Sequence, residues 1–189
     1  MIGLMMLLAL GLYLAISAGV VAWTVRWAKR NGRGVWRWGI AAGFLMYLLV
    51  FWDHIPTLVL HKHYCATKAG FWVYKTPEQW KAENPGVAET LTWRESSPQY
   101  NSPDGSFGYR LNERFIYEIR REQTPMLPVR ISTYSILDIN KSVVVKQVSV
   151  GCGYDSFYKF WVRAETCMPG QKQLDAFRKQ FKELGREVK

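Results

Sequence analysis

The sequence predicts an α+β protein, a two-helix transmembrane hairpin followed by an antiparallel β-meander domain with packed helices. Residues 1–25 and 38–52 hold no charged side chain. Beyond Tyr109 several segments alternate apolar and polar residues, the period of a half-buried strand. Near the end, Leu174, Phe177, Phe181 and Leu184 recur at three- and four-residue steps, the period of an amphipathic helix.

Ile2 to Trp23 is an unbroken run of apolar and small residues, and about 20 such residues let a helix cross roughly 30 Å of hydrocarbon. The first span is therefore placed over residues 2–24. The second, over residues 35–52, carries Arg37 near its start and lies at the short end of the permitted range. Trp23, Trp27, Trp36 and Trp38 cluster where the runs approach each other, and Phe51 and Trp52 close the second, as rings at headgroup level do. A cleaved signal peptide fits less well, because the first run lacks a basic start and is longer than an ordinary signal core.

The loop 25–37 carries Arg26, Lys29, Arg30, Arg33 and Arg37 and no acid. Such loops stay in the cytoplasm. Both termini are then periplasmic in a bacterial inner membrane, and residues 53–189 form an extracytoplasmic α+β domain. Ala15, Ala18, Gly19 and Ala22 on the first span, and Gly39 and Gly43 on the second, permit close helix packing. The same small-residue faces suit a tight hairpin or a homo-oligomer.

The segment FWDHIPTLVLHKHYC, residues 51–65, holds all three histidines. Asp53 suits a helix N-cap and Pro56 a first turn, so a helix is expected from there, ending at Gly70 in a left-handed conformation. Residues 71–76, FWVYKT, read as a strand. Thr76-Pro77-Glu78-Gln79 is a capping box, and Asn84-Pro85-Gly86 stops the short helix it starts. Residues 87–108 are expected to form a long surface excursion, since turn signals interrupt them.

RFIYEIRRE, VRISTYSILDI and SVVVKQVSV follow as strands, and SFYKFWVRA as a further one after a turn at Gly153 to Asp155. Pairing Ile139 with Ser142 sets Leu137 beside Val144 and Ile131 beside Val150, which keeps one face apolar. Residues 171–188 form the amphipathic helix that covers the sheet.

Cys65, Cys152 and Cys167 all fall on the side assigned to an oxidising compartment, where a disulfide is the default. A bridge needs Cα atoms within about 7 Å. If the strands around Asp155 form a tight hairpin, Cys152 and Cys167 lie too far apart along the ladder. Cys65 then bonds Cys152, or alternatively Cys167. A helix puts His54, His61 and Cys65 on one stripe, a strand puts His61, His63 and Cys65 on one face, and these are zinc-ligand types. His61 and His63 are the candidate metal ligands, on the condition that Cys65 carries a thiol.

Peptidase, lipase, kinase, Walker and dinucleotide fingerprints are absent from the sequence. The reading is accordingly recognition without turnover and without a cofactor. The formal net charge is +10, of which residues 61–189 keep an excess of +6. That surface suits an anionic bilayer, an acidic protein or plain solubility, and nucleic acid is a poor partner beyond a membrane. Candidate contact residues are Trp72, Trp80, Trp93, Tyr100 and Arg121, of the types that anchor protein interfaces.

The order Asp53, Ile55-Pro56, Cys65, Ala69-Gly70 and Val73-Tyr74-Lys75-Thr76 resembles a segment of uncharacterised membrane-anchored bacterial envelope proteins, over about 24 residues. The resemblance implies an envelope setting and no catalytic residue. The expected function is a membrane-anchored, extracytoplasmic protein-binding module that serves an envelope complex and meets another membrane or periplasmic protein. An immunity or exclusion protein is a more specific version of it. The rivals are a zinc-binding or a thiol-dependent envelope enzyme.

Overall fold

The apolar N-terminal run forms one long helix, α1 (Ile2–Arg30), with Lys29 and Arg30 in its last turn, where positive side chains offset the partial negative charge of the helix end. The structure is a computed structural model and describes residues 2–102, 105–140, 142–154, 162 and 164–187. The chain divides into two units, residues 1–56 with 155–161, and residues 57–154 with 162–189.

In the first unit α1 packs along α2 (Val35–Phe51). Gly39 permits this approach, because a Cβ there would stand 3.1 Å from a Val25 methyl, whereas Gly19 and Gly43 face open space. Trp27 meets Trp38 edge to face at 5.3 Å, Tyr13 meets Phe51 at 6.4 Å, and the Tyr13 hydroxyl donates to the Met46 carbonyl. Among the described residues one helix, Gly3–Arg30, is long and apolar enough to cross a membrane by itself. The 17-residue α2 meets that test only together with the helix that follows it.

That helix, α3 (His54–Thr67), has Pro56 in its first turn. Its last turn closes as the Lys68 and Ala69 amides donate to the Tyr64 carbonyl. Gly70 is no helix cap. It opens β1 (Gly70–Val73), has no positive φ, and lies beneath the Trp72 ring, which a Cβ would meet at 2.3 Å. A side chain at this position would displace the 42% exposed Trp72 ring, so the glycine here makes room for the ring and does not serve a left-handed turn.

The capping box forms as the sequence predicts. The Gln79 amide donates to the Thr76 hydroxyl and the Thr76 amide to the Gln79 side chain, starting α4 (Pro77–Glu83). A one-turn helix, α5 (Val87–Thr90), follows. The predicted excursion over residues 87–108 is partly ordered into short strands, β2 (Thr92–Trp93), β3 (Gln99–Asn101) and β4 (Phe107–Arg110). Their pairing to distant segments, with Leu91 buried between α5 and β2, has no local period to announce it.

β5 (Phe115–Gln123), β6 (Val129–Asp138) and β7 (Val143–Cys152) make the centre of a seven-stranded sheet of order β1-β7-β6-β5-β4-β3, with β8 (Glu165–Cys167) also on β7. These pairings are all antiparallel. Ile131 pairs with Val150 as predicted, but an irregularity at Ile136/Leu137 sets Leu137 against Val143 instead of Val144. The strand predicted over residues 156–164 falls mostly outside the described residues.

α6 (Gln171–Lys182) covers one face of this sheet. Leu174 and Phe181 are fully buried with Trp80, Phe115, Tyr117, Ile136 and Val145. Helix periodicity ends earlier than predicted. Gly185 adopts φ 106 against the Leu91 carbonyl, turning Leu184 into the core beyond the helix and leading into β9 (Arg186–Glu187), which pairs parallel with β2. On the opposite face a smaller cluster of Val129, Val150 and Cys152 packs with Leu60, Tyr64, Cys65 and Cys167.

Candidate functional site

α6 and the β4–β5 ribbon enclose a cleft of about 790 Å³ in the second unit, lined by Trp93, Tyr109, Tyr117, Arg178, Lys179 and Lys182 together with acidic side chains. The sequence builds it from the helix outward. Leu174, Phe177 and Phe181 face the sheet, which leaves Arg178 and Lys182, one turn apart, at the helix edge. The Arg178 guanidinium stands 5.4 Å from the Tyr117 ring centre, and the Lys182 ammonium 5.7 Å from that of Trp93. Each is a cation over an aromatic face. Lys182 also donates to the Glu95 carbonyl at 2.7 Å, fixing the loop beyond Trp93.

Asp175 accompanies Arg178 at 3.5 Å and Glu183 accompanies Lys179 at 3.9 Å, both pairs well exposed. Exposed pairs contribute little stability, so these charges remain available to a partner. Burial pushes the Tyr117 hydroxyl up to about 12, opposed in part by the Arg178 charge. Tyr117 is thus a neutral hydrogen-bonding floor at any physiological pH, while Tyr109, 43% exposed, forms the rim. The cleft offers flat rings, two fixed cations and mixed charge.

The cleft rests on a buried polar frame. Trp80 donates from its indole nitrogen to Asp138 at 3.1 Å, Arg114 pairs with the same carboxylate at 2.5 Å, and Asp138 is buried. Asn112, also buried, donates to the Phe181 carbonyl at 2.8 Å and accepts from the Arg114 and Phe115 amides. The end of α6 is thereby tied to the turn before β5.

Of the residues proposed for contact, the structure places Trp93 in this cleft. Trp80 is a correction. At 1% exposure, edge to face with Phe115 at 5.0 Å, it is core. Trp72 is exposed on the edge strand β1, with Val73 and Tyr74 exposed beside it. Arg121 is exposed and lies 5.1 Å over the Phe107 ring. Tyr100 belongs to β3, and its side chain lies outside the described set.

The histidines separate. His54 shares a hydrogen bond with the Tyr47 hydroxyl at 2.7 Å, His63 is exposed beside Tyr64, and His61 is buried. The disulfide joins Cys65 to Cys167, the alternative pairing, and Cys152 is a buried thiol. The reason is register. Cys167 sits opposite Val150 on β8, under α3, while Cys152 lies two residues further along β7, about 7 Å away at the rise of a strand. Burial raises the Cys152 thiol above its ordinary range. His61 Nε2 lies 3.4 Å from Cys65 Sγ and 3.3 Å from the Val150 carbonyl. The proposed pair of ligands, His61 and His63, is therefore not brought together, and the bridge occupies both sulfurs.

Sequence reasoning missed Tyr109, Tyr117, Arg178 and Lys182. The available signal was the i, i+4 spacing of Arg178 and Lys182 beside the apolar stripe of α6. No protein-family model matches this chain, and no curated protein or solved structure matches it either.

Proposed function

We propose that this chain is a membrane-anchored recognition module of the bacterial envelope, holding its α+β domain on the extracytoplasmic side to bind another membrane or periplasmic protein. The observation that carries the reading is the cleft beside α6. It combines Trp93, Tyr109 and Arg178, residue types enriched at the energetic centres of protein interfaces, with the cation of Lys182, and its exposed acids give a partner both signs of charge to match. The apolar α1, the basic turn after it and the Cys65–Cys167 bridge support the anchored, oxidising-side placement. In this reading α2 is the second span. The activity is binding without turnover.

The test is photo-crosslinking in intact cells, with a photoreactive residue placed at Tyr109 or Lys179 of the full chain and at half-buried Lys146, which does not line the cleft. The expected result is one protein adduct of common mass from the two cleft positions and none from Lys146. Trp93→Ala or Arg178→Ala should reduce its yield about tenfold or more, the size of a hot-spot loss. Adducts only with lipid, or equal yields from all positions, contradict the reading.

A further inference from the structure

Three donor atoms meet where α3 lies against β7 and β8: His61 Nε2, Cys65 Sγ and Cys167 Sγ, all within 4.8 Å of one another. His61 and Cys65 are four residues apart on α3, so one helical turn presents both to the same point. Cys167 is held opposite them by its pairing with Val150. Cys65 and Cys167 are both half-buried, which leaves a path for solvent, while His61 is enclosed. The disulfide explains the proximity of the sulfurs. The helical turn adds an imidazole nitrogen to them, 3.4 Å from Cys65 Sγ.

In tetrahedral zinc sites with Zn–S about 2.3 Å and Zn–N about 2.0–2.1 Å, ligand sulfur and nitrogen atoms lie roughly 3.5 Å apart and two sulfurs about 3.8 Å apart. The 3.4 Å between His61 Nε2 and Cys65 Sγ is thus already that of a zinc site, and Cys167 Sγ lies within 4.8 Å of the same nitrogen. Breaking the bridge needs the sulfurs only to part, and the 6.0 Å between the two Cα atoms leaves side-chain room for it.

We propose that His61, Cys65 and Cys167 form a redox-gated zinc site, closed to metal as the disulfide and open after reduction. Reduction by a dithiol breaks the Cys65–Cys167 bond. Two electrons and two protons pass to the cysteines, and the dithiol becomes a disulfide. Zn²⁺ then displaces the two thiol protons and takes the Nε2 lone pair of His61, whose ring proton moves to Nδ1, leaving the fourth position to water. Reoxidation by thiol–disulfide exchange with a small disulfide passes two electrons from the thiolates to that disulfide, which takes up two protons and leaves as two thiols, while the Cys65–Cys167 bond re-forms and the ion is expelled. Cys152 stays outside the set, since its sulfur is not among the converging donors and its buried thiol resists ionisation. His63 stays outside it as well.

The experiment uses the full chain in lipid nanodiscs. A phosphine reduces it, consuming one water and leaving a phosphine oxide and two thiols. The reductant is then removed without air, and zinc is added. Reduced protein is expected to bind one Zn²⁺ per chain and oxidised protein none. Cobalt in place of zinc should give thiolate charge-transfer absorption. Zinc should slow alkylation of Cys65 and Cys167 and leave that of Cys152 unchanged, a readout on the unaltered chain that needs no variant to fold. His61→Gln retains a donor for the Val150 carbonyl but no imidazole. Its zinc affinity should fall on the order of a hundredfold or more, since outer-shell changes alone cost tenfold to a hundredfold, while His63→Gln binds as the parent does. Absence of zinc uptake by the reduced chain, equal uptake by the oxidised chain, protection of Cys152 instead of Cys65 and Cys167, or parental affinity in His61→Gln would each overturn the proposal.

Discussion

Asp138 illustrates what single residues decide in this domain. Its carboxylate is buried, accepts a hydrogen bond from the Trp80 indole N–H and pairs with Arg114, whose guanidinium also lies 5.9 Å from the Trp80 ring centre. Removing the acid strands an indole N–H and leaves a partly buried guanidinium unpaired, and breaking a buried pair from one side costs about 3–5 kcal/mol. Asp138→Ala should therefore lower the unfolding free energy of the domain by about 3 kcal/mol, measured by urea denaturation in a detergent that keeps the helices solubilised. A loss under about 1 kcal/mol would mean that the pair is solvated, as surface pairs are. In the sequence Asp138 is one acid near the end of an apolar strand. Nothing local announces that Trp80, 58 residues earlier, turns its nitrogen toward it. For the same reason Trp80 looked like a contact residue. Tryptophan types both cores and interfaces, and burial decides between them only after folding.

Among the elements, those with a strong local signal were legible and those set by pairing were not. The capping box before α4 and the stripe of α6 arise from interactions within one helix and the face beside it, so their residues declare them. The extent of α6 was overread because Leu184 continues the apolar period, while the left-handed Gly185 ends the helix for the sake of β9. β8 has three residues and no alternation of its own, and with β8 unseen the partner of Cys65 was left open between two cysteines. The bridge that results fastens α3 to the sheet across 102 residues of chain. Loop-entropy reasoning gives about 4–5 kcal/mol for such a closure. Cys167→Ser, studied without metal, should lose roughly that amount in denaturant titration, with Cys152→Ser changing stability less. An equal or larger loss from Cys152→Ser would assign the fastening to packing around the buried thiol instead of to the bridge.

At the scale of the whole molecule the sequence sets an uncharged apolar run apart from a charged, periodic remainder, and the run forms one helix long and apolar enough to cross a membrane. The apolar α1 and the α+β domain follow from that separation and from periodicity. The cleft is a different matter. It exists because Arg178 and Lys182 on the last helix come to lie beside Tyr117 and Trp93, residues distant in the chain, and only the register of the sheet and the docking of α6 bring them together.

The envelope reading requires that the domain carrying this cleft lie across the membrane from the basic turn. Impermeant thiol labelling of intact cells tests it most directly, because Cys65 and Cys167 are bonded and Cys152 is buried. Single cysteines would be placed at exposed Lys172 on α6 and exposed Asn31 in the basic turn. Lys172→Cys should label in intact cells and Asn31→Cys only after permeabilisation. Labelling of Asn31→Cys in intact cells with Lys172→Cys protected until permeabilisation would invert the topology and contradict the account.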